Sequence, residues 1–245
     1  MGNPCLPCVL PLAKNGGIFP MISIPKIWEI FTTKFSVFMQ GVGTTVELAL
    51  YTVVLGSILG LLVAIFRHTP ILPIRWLMNA YVAFIRGTPL LVQVLMIVYG
   101  LPQLGLKLPR MTLCIIALVI NSGAYMAELI RAGLQSVEKG QEEAADSLGM
   151  NGYQKMRYVI LPQAIKVTLP AMGNEFIAII KESSVLYAVG VYELTYQANK
   201  LSSVNYRYLE TMIVAALIYF VLTYTMTKLL ALLERRMRRS ENSVA

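Results

Sequence analysis

Long apolar runs alternate with short polar loops along most of this chain, and their lengths predict helices that cross a membrane. A spanning helix needs about 20 mostly apolar residues. Residues 48–66 form such a run, and Val46 extends it past Glu47. Residues 76–99 form a second, interrupted at Arg86-Gly87-Thr88-Pro89. Residues 112–130 and 159–180 carry polar groups inside their runs, and 212–233 is the last. The expected architecture is all-α, an integral membrane protein with five transmembrane helices. One such run alone would also suit a buried core helix. Five in one chain exclude an ordinary soluble domain.

Between the runs the pattern is less regular. Residues 21–34 mix Ile22, Ile24, Ile27, Trp28 and Phe31 with Lys26, Glu29 and Lys34, which predicts a short interfacial helix. The expected division is an extracytoplasmic tail over 1–34, a transmembrane domain over 35–236 and a cytoplasmic tail over 237–245. Gly56 and Gly60 are spaced for close helix–helix approach. Pro89, Pro162 and Pro170 each remove a backbone donor and bend a span. Freed carbonyls at membrane depth must be covered by protein or line a wet cavity. Spans two and four are therefore expected to face the interior. Residues 185–192 are apolar but too short to cross, and read as a re-entrant or surface segment on the outer side.

Composition agrees with this class. The chain has 245 residues, 56% of them hydrophobic and 14% charged, with a mean hydropathy of +0.63. The net charge of +8 needs no nucleic acid to explain it, because lysine and arginine favour cytoplasmic loops. Arg67, His68 and Arg75 follow the first run, and Arg131, Lys139, Lys155 and Arg157 lie between the third and fourth. Arg235, Arg236, Arg238 and Arg239 end the chain, where they also suit anionic lipid. The opposite loops hold only Lys107 and Arg110, then Lys200 and Arg207. The expected orientation is amino terminus outside and carboxyl terminus in the cytoplasm. Residues 1–20 read as an irregular exposed tail without the apolar core of a cleaved signal peptide. Cys5 and Cys8 have a C-x-x-C spacing, but no second pair or histidine completes a metal set.

Catalytic motifs are missing. The chain has no G-x-x-x-x-G-K-[ST] phosphate loop, no H-E-x-x-H and no G-x-S-x-G, and its single histidine is His68. Neither ATP hydrolysis by this chain nor a catalytic metal is expected. What remains is a set of polar groups inside the apolar runs, which are costly there and mark pathways by default. Asn121, Tyr125 and Glu128 share one face of the third run, at i, i+4 and i+7. Asn174 and Lys181 share a face of the fourth through Ala178, with Glu175 and Glu182 on the adjoining strip. Two such stripes suit one cavity for a zwitterionic amino acid. Structural readings stay open beside this one. Glu128 is placed to pair with Arg131, Lys181 and Glu182 to sit at the outer interface, and Arg86 to snorkel.

The loop over about 138–160 has its own design. Residues 138–148 are good helix formers, Gly149 is a natural helix stop, and Asn151 is placed to cap a second short helix through Tyr158. This predicts a helical hairpin held against the membrane by Pro162. Inside it, Glu142-Glu143-Ala144-Ala145, then Gly149 and a distant Leu161-Pro162, resemble the EAA loop of ABC importer permeases. Val159 stands where that family usually has Ile.

From about residue 41 to 236 the chain looks like the polar amino acid branch of those permeases. The stretch from Phe84 through Arg86-Gly87-Thr88-Pro89 to Gln93 and Tyr99-Gly100-Leu101-Pro102 resemble its second-span signature. The runs Ala124 to Gly133, Asn174-Glu175-Phe176-Ile177, Lys181-Glu182-Ser183-Ser184 and Gly190 to Thr195 are similar too. Glu182 stands where the family often has Asp, and Val185 where it often has Leu. The resemblance implies a MetI-like permease fold in the cytoplasmic membrane. It implies a pore made with a second permease subunit, identical or related, and cytoplasmic ATPase subunits docked on the EAA loops. ATP and magnesium then belong to the ATPase, and an extracytoplasmic binding protein delivers the substrate. The expected substrate is a polar amino acid, basic (arginine, lysine, histidine) or else glutamine, glutamate or cystine. A passive channel or scaffold without an ATPase is the rival reading.

Overall fold

The computed structural model describes residues 23–239. The irregular-tail and C-x-x-C readings of the first 20 residues therefore lie outside the described part. Helix α1 (Ile24–Thr33) lies inside the 21–34 segment read as helical from the sequence. It packs on the last helix, with Ile30 buried beside Val214 and Ile218. Trp28 is largely exposed, at the groove that α1 forms with Val214 and Leu217 of the last helix.

Helix α2 (Phe35–Arg67) runs for 33 residues, 13 more than its apolar stretch requires on the usual count of about 20. It lies along α6 (Arg110–Gln135), and this pair is the spine of the fold. Gly56 and Gly60 allow the approach: a Cβ at Gly60 would come 2.5 Å from Met126 Cβ and 2.9 Å from Ala127 N. The glycine spacing read from the sequence thus serves packing within this chain.

The second apolar run is not one span. Helix α3 (Leu72–Gly87) ends at Thr88-Pro89, and α4 (Leu90–Leu95) leaves it at an angle of 110°. Proline forces the preceding residue out of the helical region, and Thr88 is extended, with φ −119° and ψ 147°. A π-helical turn (Met96–Gly100) then leads into the short α5 (Leu101–Gln103). Val94 and Val98 bury themselves against Leu113, Cys114, Ala117 and Leu118 of α6.

Helix α7 (Lys139–Ser147) and α8 (Gly152–Lys155) form the predicted hairpin. A second π-helical turn (Met156–Ile160) joins α8 to α9 (Leu161–Glu182). Both π turns end two residues before a proline, Pro102 or Pro162. A proline ring has no N–H and crowds the carbonyl four residues back. Widening the preceding turn relieves both conflicts.

Within the 185–192 segment Leu186, Val189 and Val191 are buried. A 3₁₀ helix over Ser183–Val189 carries Leu186 and Val189 into the α4–α6 cluster. Gly190, at φ +75°, turns the chain back. Helix α10 (Leu194–Asn205), which the hydrophobic pattern did not reveal, leads to α11 (Tyr208–Arg239).

Three described helices, α2, α6 and α11, are long and apolar enough to cross a membrane, or four elements if the bent α3–α4 pair is one span. Helix α9 is long enough, at 22 residues, but Lys166, Glu175, Lys181 and Glu182 interrupt its apolar character. Neighbours shelter it. Gly133 of α6 lies on Thr168, Gly173 lies on Leu230 of α11, and Ile179 and Ile180 are buried beside Ala49.

Candidate functional site: a capped hairpin, an arginine hub and an acidic helix

The hairpin is closed by local chemistry. Gly149 has φ +70° and nothing within 4 Å of a would-be Cβ. Its N–H donates to Asp146 O at 3.0 Å, and Met150 N–H donates to Ala145 O at 3.1 Å. This 5→2 and 6→1 pair is a Schellman cap, which requires a left-handed residue at the bend. Asn151 then starts α8 with a reciprocal box: Gln154 N–H donates to Asn151 Oδ1, and Asn151 N–H to Gln154 Oε1, both at 2.9 Å. Lys155 closes the two arms on Asp146 at 2.8 Å. The Asp146 carboxylate holds the Lys155 ammonium above its ordinary pKa of 10.5.

Within the signature, Ala145 is buried and holds the hairpin down, while Glu143, Ala144 and Gly149 face outward. Leu148, Tyr153 and Tyr158 are 77%, 71% and 65% exposed. Beside them lies an open groove of about 940 Å³, lined by Leu61, His68, Glu142, Glu143, Asp146 and Leu161 among others. The foot of the hairpin rests on α9: Val137 packs with Ile160 and Ala164, and Gln163 Nε2 donates to Gln141 Oε1 at 3.3 Å. Pro162 sits in the first turn of α9. From Gly152 to Glu182 the chain is one continuous helical path.

The polar stripe of α6 divides among three partners. Asn121 is buried and donates from Nδ2 to Gln93 Oε1 at 2.9 Å. Gln93 in turn donates to Ile85 O at 2.8 Å and to Thr88 Oγ1 at 2.8 Å. This chain of bonds satisfies the backbone freed at the α3–α4 break, so Asn121 holds a bend instead of lining open space. Tyr125 lies under the Arg86 guanidinium, 5.4 Å from ring centre to Cζ. Glu128 accepts from Arg67 at 3.0 Å, pairs with Arg131 one turn on, and has Arg86 at 3.8 Å. Arg67 also holds Asn79 Oδ1 at 2.8 Å. The hub ties α2, α3 and α6 together. The pairing of Glu128 with Arg131, one of the two readings open from the sequence, is present.

The stripe of α9 stays open. Asn174, Lys181 and Glu182 are exposed and Glu175 is half-buried. Glu175 has no hydrogen bond or ion pair among the described residues. The charges that act on it are Glu182, two turns along the same helix, and Arg86 from α3.

Sequence reasoning missed Arg67, Arg86, Gln93 and Glu193 as working parts. Glu193 is fully buried and caps α10, accepting from Thr195 N at 2.8 Å, Tyr196 N at 2.6 Å and Tyr219 Oη at 2.8 Å. Arg86 and Glu193 both stood inside recognisable motifs. Their partners are 42 and 26 residues away (Glu128 and Tyr219), beyond the reach of spacing rules.

The profile described as "Binding-protein-dependent transport system inner membrane component" matches residues 54–239. The chain belongs to this family. Among curated relatives it is 41% identical to "Probable glutamine ABC transporter permease protein GlnM" of Bacillus subtilis (strain 168), covering 86% of this chain and 98% of the relative. It is 34% identical to "Arginine transport system permease protein ArtQ" of the same organism, over 83% and 93% of the two. It is 36% identical to "L-cystine transport system permease protein TcyB", again from Bacillus subtilis, over 86% and 92%. Among solved structures, "Crystal structure of an amino acid ABC transporter with histidines" superposes with a TM-score of 0.81 at 49% identity, covering 84% of this chain and 96% of that one. An inward-facing MetNI methionine transporter shares the fold, with a TM-score of 0.68 at 20% identity over 88% and 99%.

Proposed function

We propose that this chain is the membrane permease subunit of an ATP-driven importer for polar amino acids, worked by a separate ATPase that docks on the 138–160 hairpin. The observation that carries this reading is the hairpin itself. It is rigidly capped, exposes Leu148, Tyr153 and Tyr158, and continues without a break into the helix that bears Glu175 and Glu182. A push on the hairpin would travel along that helix to the acidic residues. An importer of this kind needs two packings of similar energy, each favoured by different partner contacts. A passive channel or scaffold has no use for such a lever.

In this reading ATP and magnesium bind the partner ATPase, and a second permease subunit completes the pore. An extracytoplasmic binding protein supplies substrate. The hairpin and the carboxyl terminus face the cytoplasm and the amino terminus faces out, in keeping with the lysine and arginine distribution. Glu128 is taken up by arginines, so Glu175 and Glu182 are the acidic groups left for substrate. Two free carboxylates favour a basic amino acid: arginine, lysine or histidine. The relatives named for glutamine, arginine and cystine lie within a narrow identity range, so likeness favours none of the three.

The test is to purify the tagged chain in mild detergent, identify what co-elutes, and measure uptake with an intact and a hydrolysis-dead ATPase. A stoichiometric P-loop ATPase and uptake that stops with the dead partner are expected. A folded oligomer without ATPase, or uptake that persists, would replace the importer with a channel.

A further inference from the structure

Helices α1, α2 and α11 frame a groove of about 600 Å³, within the usual range of a ligand site, about 300–1,000 Å³. Ile24, Ile27, Trp28 and Phe31 recur at i, i+3, i+4 and i+7, so α1 turns one face towards it. The Trp28 and Phe31 rings lie 5.9 Å apart, and Phe31 stands edge-on to Phe35 of α2 at 5.4 Å. Only Trp28 and Thr225 bring polar side-chain atoms to the lining. The Thr225 hydroxyl is spent on Val221 O of its own helix at 2.7 Å. Ile24 and Trp28 on α1, and Leu217 and Val221 on α11, remain largely exposed. The chain's own packing thus leaves a concave apolar surface open.

The length of the groove matches one leaflet of a bilayer. On α11 its lining runs from Val214 to Thr225, about 16 Å at 1.5 Å per residue. Half of a hydrocarbon core about 30 Å thick is about 15 Å. Both α2 and α11 are long and apolar enough to cross a membrane, and α11 begins at Tyr208, so the groove starts near one end of a span. That end is cationic: Lys26, Lys34 and Arg207 outnumber Glu29 and Glu210. Arg207 pairs with Glu29 at 4.0 Å, tying α1 to the start of α11. Lys26 and Lys34, next in sequence to the lining residues Ile27 and Phe35, are exposed. They have no hydrogen bond or ion pair among the described residues. Exposed lysines beside a tryptophan suit the headgroup level of a membrane.

We propose that this groove holds one acyl chain of an anionic phospholipid, with the lipid phosphate among Lys26 and Lys34. Walls on three elements give the chain more contacts than the convex side of a single helix, which separates a held lipid from a passing one. The lipid completes the packing of α1 on α2 and α11. The inference stands apart from the importer reading, because it concerns neither the hairpin nor the substrate.

The chain has two tryptophans, Trp28 and Trp76, so in W76F all tryptophan emission comes from Trp28. Trp76 is 71% exposed, and its loss removes little packing. The full W76F chain is reconstituted in phosphatidylcholine bilayers. A small fraction of either phosphatidylglycerol or phosphatidylcholine, brominated on the acyl chain, is then added, since bromine quenches an indole on contact. Brominated phosphatidylglycerol should quench Trp28 beyond its mole fraction, as if bound roughly 5- to 30-fold more tightly, at about fivefold per lysine. K26Q with K34Q should bring the two lipids onto one curve. V221F, which fills the groove and spares the lysines, should cut the excess to the bulk level. Retained helical circular dichroism keeps the variants comparable.

Equal curves for the two lipids in W76F would overturn the proposal, leaving only bulk lipid contact. An excess that survives the lysine or the V221F changes would overturn it too, by placing the lipid elsewhere. No quenching by either lipid would mean that protein covers the groove, a second copy of this chain or another subunit, and would equally refute it.

Discussion

Replacing Gly149 separates two ways in which the hairpin could govern transport. Its φ of +70° is open to glycine and costs other residues about 1–2 kcal/mol. A Cβ there meets nothing within 4 Å, so the chain itself adds no steric term. A shift of that size changes the ratio of bent to unbent hairpin by roughly 5- to 30-fold. The cap bonds from Gly149 and Met150 fail with the bend, and Asn151 no longer directs α8 back towards α9. G149D, G149A and G149V should therefore lose ATP-driven uptake, the valine variant most, because a β-branched residue fits positive φ worst. G149N should retain the most, because asparagine tolerates the left-handed region. The deciding pair is alanine and asparagine. Alanine is smaller but the worse left-handed residue. The assay is uptake normalised to membrane-inserted protein, with co-purified ATPase measured alongside. If G149N falls below G149A, bulk at the docking face governs and the backbone argument is wrong. Normal transport by G149V would remove the coupling role of the bend altogether.

Other perturbations test other joints. Glu175→Gln should weaken uptake while the ATPase stays bound; unchanged rate and affinity would return Glu175 to a structural role. Glu193→Ala removes the acceptor of the Thr195 and Tyr196 N–H groups and leaves Tyr219 Oη with Thr195 Oγ1, at about 2–4 kcal/mol. A clear drop in the thermal midpoint in detergent is expected, smaller for Glu193→Gln, and an intact midpoint for the alanine variant would refute the buried-cap account. The Asp146–Lys155 bridge has a defined pH signature. The folded Lys155 pKa lies above its ordinary 10.5, so the bridge contributes fully below that value and is lost as pH rises through the higher folded one. Protease resistance of the hairpin should accordingly be flat near neutrality and fall in strong alkali, and Asp146→Asn should abolish that fall. A loss of protection already near neutral pH would contradict it.

Some of this protein was written in local sequence. The hairpin was legible to single residues, because helix stops and caps are set within a few positions: Gly149 takes the left-handed bend and Asn151 caps α8. The apolar runs over 48–66, 112–130 and 212–233 also read correctly, each lying inside one long helix. The prolines announced bends but not their sizes. Pro102 and Pro162 are absorbed by π turns within continuing helices, while Thr88-Pro89 becomes a 110° break. The difference lies in what can satisfy the freed carbonyls, and at the break that is Gln93, held by Asn121. Only the tertiary structure decided which polar residues remain free. Asn121, Tyr125 and Glu128 share a helix face in the sequence, yet each is claimed by a side chain from a distant segment. Glu175, half-buried on α9, has no hydrogen bond or ion pair among the described residues. Helical periodicity fixes which residues look the same way; how near the opposing helix comes fixes what they meet.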